Sequence, residues 1–244
     1  MLLTPTKPLD AIHTGPDWHG TAQAVPKPAM SRVEMKNRTT QILYSYWNEV
    51  RHGRLAPKRF DIEPARIAGI LAETMILERA DDSTLRFRLA GTRIAEQFAA
   101  ELRGQNFFEL WGETDRTTLR HQLTALQEQG GALRFDIDAA TASGRTVAFE
   151  AILLPLVHTR DIVDRFLGSI SCAHLPLWLG TEPLTTLRLT DSETIWPDGR
   201  PHAIAERLAH PPALNPSTAA GRIVRFDRRQ FRVLDGGRDA GGKP

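Results

Sequence analysis

Between residues 84 and 90, apolar Leu85, Phe87 and Leu89 alternate with Arg86 and Arg88. The same two-residue period returns at 132–139, where Leu133, Phe135 and Ile137 alternate with Arg134, Asp136 and Asp138. Successive side chains of a strand point to opposite faces, so each run predicts a strand with one buried face. Neither run stands alone. The apolar segment 74–80 precedes the first across Asp81-Asp82-Ser83, a hairpin-length connection, and the segments 147–157 and 165–175 follow the second across the turns TASGR and TRDIVD. The block between the two groups has a helical period instead. Gly91 ends a strand and Thr92 is placed to cap a helix carrying Ile94, Ala95 and Phe98. Residues 101–111 hold a turn at Gly104 and a short aromatic helical turn. Helix 114–129 points Leu119, Leu123 and Leu126 inward and stops at Gly130-Gly131. Two strands, three helices and three strands, joined by turns too short for parallel crossovers, predict an α+β fold. Its core is a five-stranded antiparallel sheet with the helices on one face.

The flanks are read the same way. Leu43, Tyr46, Trp47 and Val50 fall on one side of a helix over 38–51, which Gly53 ends, with Pro57 just beyond. A second, short helix follows Asp61, with Pro64 in its first turn. Residues 31–72 are therefore N-terminal helices that precede a domain over 73–180. Residues 1–30 contain Pro5, Pro8, Pro16, Pro26 and Pro28 without apolar periodicity, the pattern of a disordered arm. Beyond Leu175 the signal thins. TTLRLTDSETIWP offers a strand or a docking segment, but five prolines between Pro197 and Pro216 assign 181–221 to a Pro-rich linker. A basic segment, 222–244, closes the chain. Within it RIVRFDRRQFRVL (222–234) forms at most a small hairpin, which needs a surface to dock on.

Charge separates along the chain. Residues 41–198 carry 17 basic and 22 acidic side chains, residues 199–244 carry 9 and 4, and the whole chain is +2. A basic tail can touch nucleic acid or anionic lipid; a solvated tail, or one lying against the acidic body, is the reading taken, and nucleic acid is not the expected partner. The single cysteine excludes an intramolecular disulfide framework and an all-Cys zinc site. No stretch of about 18 apolar residues predicts a membrane span, and MLLTPTKPLD is not a signal peptide. A cytoplasmic protein is expected. Nucleotide-binding, metalloprotease and serine-hydrolase motifs are all missing, so no residue takes a catalytic role and the chain is not expected to be an enzyme.

The strand and helix order over about 100 residues resembles a PAS domain. The segments LYSYWNEVRHGRLAPKRFDIEP (43–64), RFRLAGTRIAEQFAAELRGQNFFELW (86–111) and LGSIS (167–171) resemble the single-PAS proteins of alphaproteobacteria, and FRVLDGGR (231–238) resembles their closing segment. The pattern departs at Ala99-Ala100, where a glycine is expected before ELRG. The resemblance implies a signalling or regulatory module that acts through protein–protein contacts on signalling proteins, as a homodimer, with no output domain in the chain. The alternative it implies is a small-molecule or haem sensor that uses the cavity between sheet and helices. For such a cavity the candidate ligand-binding residues are Arg88, Phe98, Trp111 and Cys172.

No cofactor is expected, because the helical block offers no histidine for haem and no cysteine for a photoreactive flavin; an unknown small ligand remains possible. His121 has the phase of a surface residue. Cys172 and His174 share a strand face in this reading, but two ligands do not make a metal site. Arg86 and Arg88 are expected to pair across the sheet with Asp136 or Asp138. Tyr46 and Trp47 are the candidate interface residues, buried either on the chain's own sheet or against a second copy.

Overall fold

A computed structural model describes residues 34–159 and 162–209. The arm 1–30, the end of the linker and the basic segment 222–244 lie outside the described residues. Strands β1 (Thr74–Asp81) and β2 (Thr84–Ala90) form the expected hairpin. Helices α2 (Thr92–Phe98) and α3 (Glu113–Gln129), with the 3-10 turn Phe107–Leu110 between them, form the central block. Strands β3 (Ala132–Thr141), β4 (Thr146–Val157) and β5 (Val163–Cys172) follow, all antiparallel to their neighbours.

The sheet has six strands, not five, in the order β2-β1-β5-β4-β3-β6. Strand β6, Leu184–Ile195, pairs with β3 along its whole length. The stretch 181–221 is therefore not a linker from its start: it opens with this strand and continues into a short helix, α4 (His202–Ala209). The order of strands also overturns the pairing expected for the arginines. β2 and β3 are separated by β1, β5 and β4, so Arg86 and Arg88 cannot reach Asp136 or Asp138. Arg88 bonds to Glu78 on β1, while Asp138 receives Arg188 of β6 at 2.7 Å.

Each face of the sheet has its own core. On the inner face, Leu77, Phe87, Phe135, Phe149 and Phe166 meet Ile94 and Phe98 of α2 and Leu119, Leu123 and Leu126 of α3. On the outer face lie α1 (Arg38–Arg51) and the 3-10 segment Pro64–Glu73, which bury Leu43, Tyr46, Trp47, Val50, Ile67 and Ile70 against Ile152, Leu154, Leu156 and Leu167. The N-terminal helices thus cover the face that the central block leaves bare. The indole N–H of Trp47 donates to the Pro155 carbonyl at 2.9 Å. The start of α1 is clamped too: Glu150 accepts the backbone N–H groups of Lys36 and Asn37 at 2.8 and 2.9 Å.

Two local details depart from the sequence reading. Pairing passes from Ile76↔Leu89 to Leu77↔Phe87, so Arg88 is the extra residue of a β-bulge. The bulge turns Leu89 out of the inner core onto the outer face, where it is 45% exposed. Thr92 is the first helical residue of α2 rather than its cap; Gly91 holds the cap position. Gly91 is needed for a steric reason, because an added Cβ would lie 2.3 Å from the Ala72 carbonyl oxygen.

The departure at Ala99 has a backbone counterpart. Ala99 ends α2 in the left-handed region at φ 49°, which costs an L-residue about 1–2 kcal/mol and glycine little. Ala99→Gly is expected to stabilise the protein by about 1 kcal/mol, read as a higher midpoint in chemical denaturation. An unchanged or lower midpoint would show that the Ala99 methyl contributes packing that outweighs the strain.

Candidate functional site

The space between the sheet and the central helices is where a ligand-holding interior would lie, and its walls are aromatic. Asn106 sets the position of the 3-10 turn. Its side-chain carbonyl accepts from Phe108 N–H at 3.2 Å and Leu85 N–H at 3.0 Å, and its amide donates to the Ser83 carbonyl. The turn is thereby tied to the edge of β2 that faces away from β1, which also exchanges hydrogen bonds with Gly104 and Gln105 through Phe87. Arg116 of α3 fastens the other end, donating to the carbonyls of Phe108 and Trp111 at 3.0 Å each.

Held this way, Phe107 contacts Phe87, Phe108 and Trp111 at ring-centroid distances of 5.9, 6.1 and 5.5 Å. Trp111 reaches on to Phe135 at 6.0 Å, and Phe98 meets Phe149 at 6.0 Å. Centroids at 4.5–7 Å with inclined planes are the arrangement that aromatic quadrupoles favour.

Two of the four candidate ligand-binding residues, Phe98 and Trp111, are therefore parts of one buried aromatic core. Cys172 sits at its margin. It pairs across strands with Phe149, and its thiol donates to the His174 carbonyl. Burial pushes that thiol up from its ordinary range, so it stays protonated at neutral pH and is a poor nucleophile. β5 ends at Cys172, so His174 does not share its strand face. Arg88 is not part of this group; it lies on the outer face with Glu78, which also receives Arg165 at 2.9 Å. His121 is exposed, as its phase predicts. Among the described residues, no group of three or more His, Cys, Asp or Glu side chains could hold a metal ion, and no helix is long and apolar enough to cross a membrane.

Sequence reasoning missed two polar features. The Trp111 indole N–H and the Gln97 side-chain carbonyl are buried without a hydrogen-bond partner among the described residues. Nothing in the sequence marks a tryptophan as unpaired, because pairing depends on what the fold brings to its ring nitrogen. On the outer face, Arg134 is buried and donates to Asp191 at 2.9 Å, to Asp136 at 2.5 Å and to Glu150 at 3.3 Å. Its carboxylates come from β3, β4 and β6, and only strand order assembles them.

Tyr46 and Trp47, the candidate interface pair, are spent on the chain's own fold. Tyr46 accepts the Glu63 N–H at 2.6 Å, and the Trp47 side chain is fully buried.

Comparison with known proteins gives the geometry a family. No curated protein matches the chain. Among solved structures, the chain is similar to the LOV protein of Rhodobacter sphaeroides, at 15% identity over 46% of this chain and 69% of that one, TM-score 0.35. It is also similar to a PAS domain from Colwellia psychrerythraea, at 12% identity over 44% and 94%, TM-score 0.35. A third is the PAS domain of an HTR-like protein from Haloarcula marismortui, at 18% identity over 44% and 95%, TM-score 0.33. A family model described as PAS domain matches residues 35–171, more than half of the chain, from the residue before the Glu150 clamp to the next-to-last residue of β5. With the hairpin, the helical block and the three returning strands in the order that the sequence pattern gives, the chain belongs to the PAS domain family.

Proposed function

We propose that this PAS domain is a regulatory module that works through contacts with other proteins, as a homodimer, and not through a bound chromophore. PAS domains are in general sensory and regulatory, and the protein-contact reading is supported by one observation above all: the interior is occupied by the chain's own rings. Phe107, with three ring neighbours at 5.5–6.1 Å, fills space between the sheet and the central helices. An interior filled by side chains suits a domain whose outer surface carries the message. Helix α1, whose start is held by Glu150 and whose last residue, Arg51, pairs with Asp198 at 2.9 Å, gives that surface a fixed frame.

The experiment is absorption spectroscopy with light scattering on the purified protein. The expected result is no Soret band, no flavin spectrum and a dimer mass. A near-stoichiometric chromophore would overturn the reading.

A second reading, a sensor holding a small uncoloured ligand, is favoured by the Trp111 indole N–H and the Gln97 carbonyl, two buried hydrogen-bonding atoms without a partner among the described residues. Trp111→Phe separates the two. It removes a buried, unpaired donor, so without a ligand it is expected to leave stability within about 1 kcal/mol. A marked loss that returns on adding a cell extract's small-molecule fraction would favour the ligand-holding reading.

A further inference from the structure

On the outer face, beside α1 and away from the aromatic interior, the 3-10 segment Pro64–Glu73 and the β1–β2 hairpin enclose a groove of about 410 Å³. Its walls are aliphatic. Leu71 stands on one side and Leu89 on the other, 37% and 45% exposed, with Ile67, Ile76 and Leu167 between them. Two features of the backbone create it. The bulge at Arg88 turns Leu89 into the groove instead of the core, and Gly91 lets the 3-10 segment close against the end of β2.

We propose that this groove binds an aliphatic carboxylate of medium chain length. The charge comes from Arg59, the only ionisable side chain among the described residues that line it. The arginines around the groove are already neutralised: Arg66 by Glu49 at 2.9 Å, Arg93 by Glu73 at 2.6 Å and Arg88 by Glu78. Arg59 has no such carboxylate among the described residues. An apolar trough with one unmatched cation is complementary to a hydrocarbon tail that ends in an anion.

The same walls disfavour a peptide. A backbone laid in the groove needs hydrogen-bond partners for its amides, and an unpaired buried amide is costly. The lining offers few. Thr74 Oγ1 is already donating to the Leu71 carbonyl at 3.0 Å, and most of the rest is hydrocarbon. An alkyl chain gives up no hydrogen bonds there.

The test is isothermal titration of the full chain with octanoate, decanoate and decanol, with melting curves confirming that each variant is folded. Decanoate is expected to bind one to one, more tightly than octanoate by about fourfold per methylene buried. Arg59→Ala is expected to weaken decanoate roughly five- to tenfold while leaving decanol unchanged. Leu89→Glu, at a position already exposed, is expected to abolish binding of both. Three results overturn the proposal: no binding of decanoate up to its solubility limit, binding undiminished by Leu89→Glu, or a Leu- and Asp-rich peptide that competes decanoate off at lower concentration. None of them bears on the aromatic interior, so the protein-contact reading stands or falls separately.

Discussion

Trp47→Ala is expected to destabilise the protein by about 3–5 kcal/mol, the range found when a buried tryptophan is cut to alanine and leaves a cavity. Trp47 is fully buried between α1 and the outer face of the sheet, in one cluster with Leu43, Ile152 and Leu154. The substitution also strands the Pro155 carbonyl, which the indole N–H now satisfies at 2.9 Å. Trp47→Phe separates the two effects, since it keeps most of the packing and loses the bond, and about 1–2 kcal/mol is expected for it. Urea denaturation followed by circular dichroism measures both. A Trp47→Ala variant within 1 kcal/mol of the parent would mean that α1 is a loosely held appendage.

Arg134→Ala is expected to cost about 3 kcal/mol, because deleting one partner of a buried ionic group leaves the others uncompensated. The Arg134 guanidinium joins Asp136, Glu150 and Asp191, and Glu150 is itself buried beneath the start of α1. Without the arginine, the carboxylates of Asp136 and Glu150, cross-strand neighbours in β3 and β4, repel each other with only the exposed Lys36 ammonium, 3.1 Å from Asp136, left to offset them. Adding Glu150→Gln to Arg134→Ala is therefore expected to recover part of the loss, since the amide oxygen still accepts an N–H from the helix start. If the double variant is less stable than Arg134→Ala, the ion pair is not what holds this corner.

How legible was all this in the residues? Helix 38–51 and the strands of the hairpin and the β3–β5 meander were readable because each shows its own period. A helix with Leu43, Trp47 and Val50 on one stripe, or a strand with Leu133, Phe135 and Ile137 on one face, needs no knowledge of its neighbours. β6 was only half legible, as a strand or a docking segment inside a linker, because it lies at the end of the sheet: Leu184 and Leu187 are buried, but most of the strand is polar and half exposed, and prolines at 183 and 197 bracket it. What places it is backbone pairing to β3, which leaves no mark on side chains. The arginine pairings failed for a related reason. Alternation shows which face Arg86 takes, and says nothing of the three strands that lie between it and Asp136. Leu89 broke the period at a bulge, and the extra residue is invisible in TLRFRLA.

The aromatic core was half legible. Phe98 and Trp111 were singled out from the helical block, and the fold brings both into it. The unpaired indole N–H and the Arg134 cluster were not visible, because each depends on what other strands and turns deliver to one point in space.

The place of β6 carries a consequence for any shortened form of this protein. The family match ends at residue 171, before β6 begins. A fragment cut to that boundary would keep every residue that defines the family and lose the strand that covers β3. Ten residues of β3, Ala132 to Thr141, would then present a bare ladder of amide and carbonyl groups to solvent. Such a ladder is a template for pairing with another molecule, and natural sheets cover or interrupt it. A fragment carried through Ile195 is therefore expected to stay monodisperse where one cut at residue 171 self-associates.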